Sequence, residues 1–199
     1  MAKKPSLNVV IPVYNEEKEV EESVVTLHRF LGAELADFEW RITVVDNAST
    51  DRTLNITKKL ANNMQRVTLL HLDQKGRGRA VRHAWQVSPA DVNAYMDVDL
   101  STDLKHLPSL IRSLMRGYDI AIGSRNARGS RVYGRGLLRT ITSKGYILII
   151  KLFFWVHFYD AQCGFKAVTR KVALDLVPDI VDNEWFFDSE LLIVGEKSG

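Results

Sequence analysis

The segment Tyr95 to Asp103, YMDVDLSTD, sets two carboxylates, Asp97 and Asp99, two residues apart where an apolar run ends. Neither has a Lys or Arg beside it in sequence, so as bare anions near a sheet they repel each other and resist desolvation. A cationic partner is implied. Alternation along an extended strand places both side chains on one side, two residue rises or about 7 Å apart. One carboxylate can then bind a divalent cation directly and the other directly or through water. Oxygen ligands with no Cys or His nearby favour Mg²⁺ or Mn²⁺, ions commonly completed by substrate phosphates. The competing reading is a helix cap built from Ser101, Thr102 or Asp103.

Similar polar clusters recur along the chain. Asp46 terminates ITVVD, and the following NASTD reads as a turn into a helix capped near Ser49, Thr50 or Asp51. Asp46 lies before that cap and is available to hydrogen-bond a ligand. In DQKGRGRAVRHAW, Gly76 and Gly78 would let backbone amides approach an anion while Lys75, Arg77 and Arg79 supply charge; the alternative is a basic turn before a helix. The five histidines, His28, His71, His83, His106 and His157, show no ligand spacing and read as structural or surface residues. Cys163 has no evident base beside it and no Ser-His-Asp arrangement is suggested, so hydrolysis through a covalent enzyme intermediate finds little support.

These residues need elements to hold them. LNVVIPVY, WRITVVD, RVTLLHL and DVNAYMDVD read as strands, and Glu16 to Leu31, Asp51 to Asn63 and Arg79 to Gln86 as helices. Strands alternating with helices imply an α/β domain, with a largely parallel sheet covered on both faces. Ligands bind such sheets at the carboxyl ends of the strands. YNEE, DNASTD, DQKGRGR and DVDLSTD fall at four successive strand ends, which makes them one site. The length of 199 residues and a 46% hydrophobic content suit one domain with a substantial core. A single cysteine excludes an internal disulfide and fits a reducing compartment. The N-terminal apolar run, broken by Pro12, is too short for a secretory signal and reads as mature sequence.

The net charge of +3 conceals an asymmetry: from Ala121 to Tyr159 there are seven basic residues and no acidic one. That segment attracts anions. Its Arg residues lack the aromatic platform of a single-strand binder, which argues against nucleic acid as a partner. It ends in GYILIIKLFFWVHFY, shorter than the roughly 20 residues of a membrane span. The alternatives are a core helix, or an interfacial one with basic residues at head-group level and Ile147 to Phe154 toward the acyl boundary.

Taken together, VVIPVYNEE, VVDNASTDRT, KGRGRAV, MDVDLSTD, IGSR and DAQCGFKAVTR resemble, in order from about Leu7 to Leu192, the family-2 glycosyltransferases of the GT-A fold. Within them the likeness is to the polyprenyl-phosphate sugar synthases, the dolichyl-phosphate mannose and glucose synthases and their bacterial relatives. The resemblance implies a Rossmann-like, mostly parallel central sheet with helices on both faces. It implies that Pro12, Tyr14, Glu16, Asp46, Arg77 and Asp97 serve nucleotide binding, and that Asp97 and Asp99 hold the Mg²⁺ or Mn²⁺ on the donor diphosphate. Some relatives carry Gln two residues after the second Asp; Ser101 stands there and is the expected third metal contact. Arg125, Arg139 and Ser143 match acceptor-phosphate positions, with Asp97, Asp99 and Arg125 the catalytic set, while Gln162 and Lys166 fall in a signature with no individual roles assigned.

The implied reaction is inverting, metal-dependent transfer of a hexose from UDP-glucose or GDP-mannose to a dolichyl or undecaprenyl phosphate. The protein is then expected to be peripheral, on the cytoplasmic side of a membrane, with residues 125–158 facing acceptor and membrane. A phosphate monoester, with a second pKa of about 6, is already largely deprotonated at neutral pH and needs no base. A sugar-hydroxyl acceptor would need one, with Asp160 or Asp188 as candidates. Transfer to a saccharide or protein, and non-catalytic nucleotide-sugar binding, remain the alternatives. Relatives usually continue beyond ELLIVGEKSG, so residues 1–199 are expected to be a single GT-A domain shortened at its C terminus.

Overall fold

A computed structural model describes residues 3–125, 130 and 137–198, with the backbone only at 137–140. The alternation of β-branched runs and amphipathic segments becomes β1 (Ser6–Val13), α1 (Val20–Glu34), β2 (Glu39–Asn47), α2 (Thr53–Asn63), β3 (Val67–Leu72), α3 (Arg77–Val87) and β4 (Val92–Met96). Then follow α4 (Leu107–Leu114), β5 (Ile120–Ile122), α5 (Leu137–Phe154), β6 (Phe165–Thr169), α6 (Arg170–Asp175) and α7 (Phe187–Lys197). Among the described residues the strands form one six-stranded sheet in the order β3-β2-β1-β4-β6-β5. β1 to β4 are parallel neighbours, whereas β6 runs antiparallel to both β4 and β5.

Strand alternation divides the core into two layers. Leu7, Val9, Ile11 and Val13 of β1 face α1 and α4, where Val24, Leu27, Leu31, Leu107 and Ile111 are buried. Val10, Val45 and Tyr95 face the other way, onto Ala80, Val81, Ala84 and Trp85 of α3 and Phe187 and Leu191 of α7. Pro12 sits in a central strand without breaking it because β1 pairs with β4 only from Leu7 to Val10.

β6 matters most for the site. Because it is reversed, Lys166 pairs with Tyr95 and Phe165 with Met96, so β6 begins where β4 ends. The preceding loop, Asp160 to Gly164, is thereby delivered to the carboxyl end of the sheet beside Asp97, whose N–H donates to the Gly164 carbonyl at 3.2 Å.

The glycines of KGRGR are required by packing. A Cβ on Gly76, whose φ is 155°, would stand 2.6 Å from the Asn183 carbonyl oxygen, and one on Gly78 would stand 2.5 Å from Phe187 Cβ. Gly78→Ala is therefore expected to destabilise the protein although Ala is favoured over Gly within a helix by about 1 kcal/mol. Overpacking costs about 1–3 kcal/mol, and urea unfolding of the two proteins measures the difference.

Candidate active site

The strand carrying the carboxylate pair is shorter than alternation predicts. β4 ends at Met96, and residues 97–100 form a turn closed by the Leu100 N–H on the Asp97 carbonyl at 3.2 Å, with Leu100 at φ 45°. Asp97 and Asp99 thus sit in a turn, not on one face of a strand. Asp99 is exposed, and its Oδ1 accepts the Ser101 N–H at 3.0 Å, the local bond by which Asp favours turns over strands. Ser101 is exposed and caps nothing; Asp103 does the capping, accepting the Lys105 N–H at 3.1 Å where a 3₁₀ turn leads into α4.

Burial pushes the Asp97 carboxyl above the usual aspartate range, against the pull of Arg77 and with help from Asp188 and Asp99. Burial also raises Glu16, with Glu19, Asp99 and Asp51 adding to the effect. Negative charge at this corner is thus incompletely compensated. Among the described residues no cluster of three or more His, Cys, Asp or Glu could hold a metal, and the acidic donors at this turn are Asp97 and Asp99. That donor set fits a hard divalent ion whose remaining positions go to phosphate and water oxygens.

The loops after β1 and β2 are fastened to each other. Asn15, at φ 57°, donates its N–H to Ser49 Oγ at 3.0 Å and accepts the Thr50 N–H at 2.8 Å. The Glu16 N–H donates to Thr53 Oγ1 at 2.7 Å, and Asp51 bridges the Glu17 and Thr53 N–H groups. Ser49, read from sequence as a possible helix cap, staples the two loops instead, while Asp51 does both, accepting the N–H of Thr53 where α2 begins; the N-cap residue Arg52 makes no side-chain cap bond. Tyr14 lies beneath the Lys75 ammonium, 3.8 Å from ring centroid to Nζ.

Asp46 is fully buried at the end of β2. Its Oδ2 meets His71 Nδ1 at 2.7 Å, while Oδ1 has no hydrogen-bond partner among the described residues. A buried acceptor left open costs free energy unless something donates to it, which fits an N–H of a nucleobase. Sequence reading missed His71. The available signal was register: Asp46 and His71 are neighbours across β2 and β3, so their side chains share a face.

The interior of the site is a chain of alternating charges. Lys166 Nζ, with no exposed surface, donates to the carbonyls of Ala161 and Cys163 at 2.8 and 2.7 Å and to Asp188 Oδ1 at 2.7 Å. Tyr95 Oη also donates to Asp188 Oδ1. Arg77 Nη1 donates to Asp188 Oδ2 at 2.5 Å, and its Nε and Nη2 reach Asp97 Oδ1 at 3.3 and 3.2 Å. Burial opposes the charge on Arg77, but Tyr95, Asp188 and Asp97 together raise its pKa. Burial likewise pushes Asp188 upward, and Lys166 and Arg77 outweigh it, holding the carboxyl below the ordinary value.

The DAQCGFK signature becomes intelligible here. Asp160 accepts the Arg125 N–H and Nε at 2.9 Å and Nη2 at 2.8 Å, which overcomes burial and lowers its pKa. Ala161 and Cys163 supply carbonyls to Lys166, and Gly164 leaves room for Asp97, since a Cβ there would stand 1.8 Å from Asp97 Oδ2. Gln162 is exposed. Asp160 and Asp188, the two base candidates, are both consumed by cations.

Arg125 follows β5 and reaches Asp160, with 28% of its side chain exposed. Ser143 is half-buried on α5; Arg139 belongs to α5, but its side chain lies outside the described residues, as do Arg128, Arg131 and Arg135. α5 packs one face into the core and leaves another exposed. Ile147 and Ile150 pack with Leu192 and Ile193 of α7, and Tyr146 Oη meets Ser189 Oγ at 2.6 Å, next to Asp188. Ile141, Leu148, Ile149, Leu152 and Phe153 point to solvent, and the following Trp155 is 80% exposed. Among the described residues no helix is long and apolar enough to cross a membrane.

A carboxylate pair, a buried carboxylate oxygen and an acid-lined corner thus lie together at the carboxyl ends of the parallel strands. Comparison with known proteins gives the family. Residues 8–176 match the profile of Glycosyl transferase family 2, and the chain belongs to that family. It is 35% identical over 199 residues to Glycosyltransferase AglD of Haloferax volcanii, covering 97% of this chain and 31% of that protein. It is 31% identical over 199 residues to a dolichyl-phosphate beta-glucosyltransferase, ALG5C, of Trichomonas vaginalis (94% and 59% covered), and 33% identical over 168 residues to a dolichol-phosphate mannosyltransferase of Pyrococcus furiosus (83% and 47%). The chain therefore spans well under two thirds of these relatives. Among solved structures, a mannosyltransferase of Pyrobaculum calidifontis in complex with GDP-Man and Mn²⁺ superposes with TM-score 0.62 at 16% identity, covering 95% of this chain and 52% of that one. The fold is GT-A, as the sequence resemblance implied.

Asp188→Asn strands Lys166 and Arg77 without their shared anion and is expected to cost about 3–5 kcal/mol, measured by urea unfolding at pH 7. Both Asp160 and Asp188 have folded pKa values below their unfolded ones. Their stabilisation is complete above the unfolded value and is lost as pH falls through the folded one. The stability of wild type should accordingly drop in acid below about pH 4, and Asp160→Asn should flatten that drop.

Proposed function

We propose that the protein transfers a hexose from a nucleotide sugar, UDP-glucose or GDP-mannose, to a polyprenyl phosphate with inversion, as a peripheral protein on the cytoplasmic side of a membrane. The observation that carries the lipid acceptor is α5: an exposed apolar face with Lys144 and Lys151 among it, on a helix hydrogen-bonded to α7 beside Asp188. Such a surface suits the boundary of head groups and acyl chains.

In this reading Asp46 Oδ1 takes a base N–H and the stapled loops hold the nucleoside. Asp97 and Asp99 would hold Mg²⁺ or Mn²⁺, which when bound supplies positive charge to the departing diphosphate. Ser101 serves the turn through its N–H. The basic stretch beginning at Arg125, with Arg139 and Ser143, attracts and orients the acceptor phosphate. No base is required, because the phosphate monoester is already deprotonated near neutral pH. The commitment of Asp160 and Asp188 to cations supports a phosphate acceptor over a sugar hydroxyl.

Incubated with each donor, Mn²⁺ or Mg²⁺ and a polyprenyl phosphate in vesicles, the protein should form a lipid-linked sugar that partitions into organic solvent. Asp99→Ala should lower turnover by about 100-fold or more with the fold intact, and chelation by EDTA should do the same. Activity only on saccharide or protein acceptors would overturn the lipid assignment, and full activity of Asp99→Ala would overturn the metal role. Phe153→Asp with Trp155→Asp should abolish flotation with anionic vesicles while leaving thermal unfolding unchanged.

A further inference from the structure

We propose that Arg77 is the resident counter-ion of the carboxylate pair, positioned by the buried Lys166–Asp188 couple, and that a divalent ion therefore binds appreciably only together with a diphosphate. The inference rests on the metal and nucleotide roles just proposed. Lys166, Asp188, Arg77 and Asp97 form a neutral quartet. It runs from a fully enclosed ammonium and carboxylate, 0% and 1% exposed, through Arg77 at 13%, to Asp97 at 39%. The closed end is the anchor and the open end is where a ligand arrives.

The geometry shows how Arg77 is held. Its Nη1 contact with Asp188, 2.5 Å, is much shorter than the 3.2 and 3.3 Å contacts by which Nη2 and Nε share Asp97 Oδ1. Nη2 also donates to Tyr95 Oη at 3.1 Å, and the guanidinium lies 5.2 Å from the Tyr95 ring and 4.9 Å from the Trp185 ring. Two aromatic rings and a buried carboxylate thus fix the fork where it meets the first metal carboxylate. A bare dication entering there faces a guanidinium already bonded to its ligand, while Asp99 is exposed and Glu16, with Glu19 and Asp51 near it, lies at the rim. A diphosphate arriving with the ion reverses the balance, giving both cation and guanidinium an anion to share. The two ligands then bind with positive, reciprocal coupling.

Mn²⁺ binding to the whole chain, followed by the electron paramagnetic resonance signal of the free ion, tests this without turnover. Wild type should bind Mn²⁺ at least about tenfold more tightly with UDP or GDP than without either. Arg77→Gln should bind Mn²⁺ alone about tenfold more tightly than wild type, with a smaller gain from the nucleotide. Arg77→Lys, which keeps the charge and loses the fork, should stay close to wild type for the metal alone. A folded Arg77→Gln protein with unchanged or weaker Mn²⁺ binding overturns the proposal. So does a wild type whose Mn²⁺ affinity is the same with and without nucleotide, a result that holds whether or not the variant folds. Wild type that binds no Mn²⁺ even with both nucleotides overturns the metal-dependent reading itself, a separate outcome.

Discussion

Asp188 accepts hydrogen bonds from a lysine, an arginine and a tyrosine while having almost no contact with water. Each of those donors comes from a different element: Lys166 from β6, Arg77 from the start of α3, Tyr95 from β4. An isolated ion at such depth would be untenable, and each member makes the others tolerable. Buried ion clusters are weak evidence for net stability, because a well-packed apolar substitute often does as well. What this one does is tie α3, β4, β6 and α7 to one another through a single carboxylate. The acid-lined corner lies at the solvent end of that arrangement.

The reversed strand makes the cluster possible. With β6 antiparallel to β4, Lys166 and the loop before it arrive at the same end of the sheet as Asp97. A parallel strand would have sent that loop to the opposite end. One strand direction therefore connects the residues that precede β4's turn with those that precede β6, segments nearly seventy positions apart. The same reversal brings the Asp160–Arg125 pair to the corner, and with it the start of the basic segment that leads into α5.

Much of this was legible in the residues. β1, β2, β3 and α3 have strong periodicity, and their expected spans differ from the observed ones by a residue or two at most ends. The convergence of YNEE, DNASTD and DVDLSTD follows from parallel strands alone. The end of β4 was not legible, because MDVD continues the alternation that a strand requires; the bonds from the Leu100 N–H to the Asp97 carbonyl and from the Ser101 N–H to Asp99 hold the chain in a turn. Nor could spacing show that Gly76 and Gly78 yield to Asn183 and Phe187, more than a hundred residues away. Lys166 and Asp188 were singled out in the sequence, but their pairing at 2.7 Å with almost no exposed surface shows only in the structure. His71 needed the register of two strands.

The stapled loops after β1 and β2 have a further consequence. Fixing the backbone of one residue costs about 1–2 kcal/mol of conformational entropy, and between Asn15 and Thr53 that ordering is complete once the chain has folded. A ligand entering this corner finds its walls already standing, so little of its binding free energy is diverted into arranging them. Association there should be limited by encounter rather than by rearrangement.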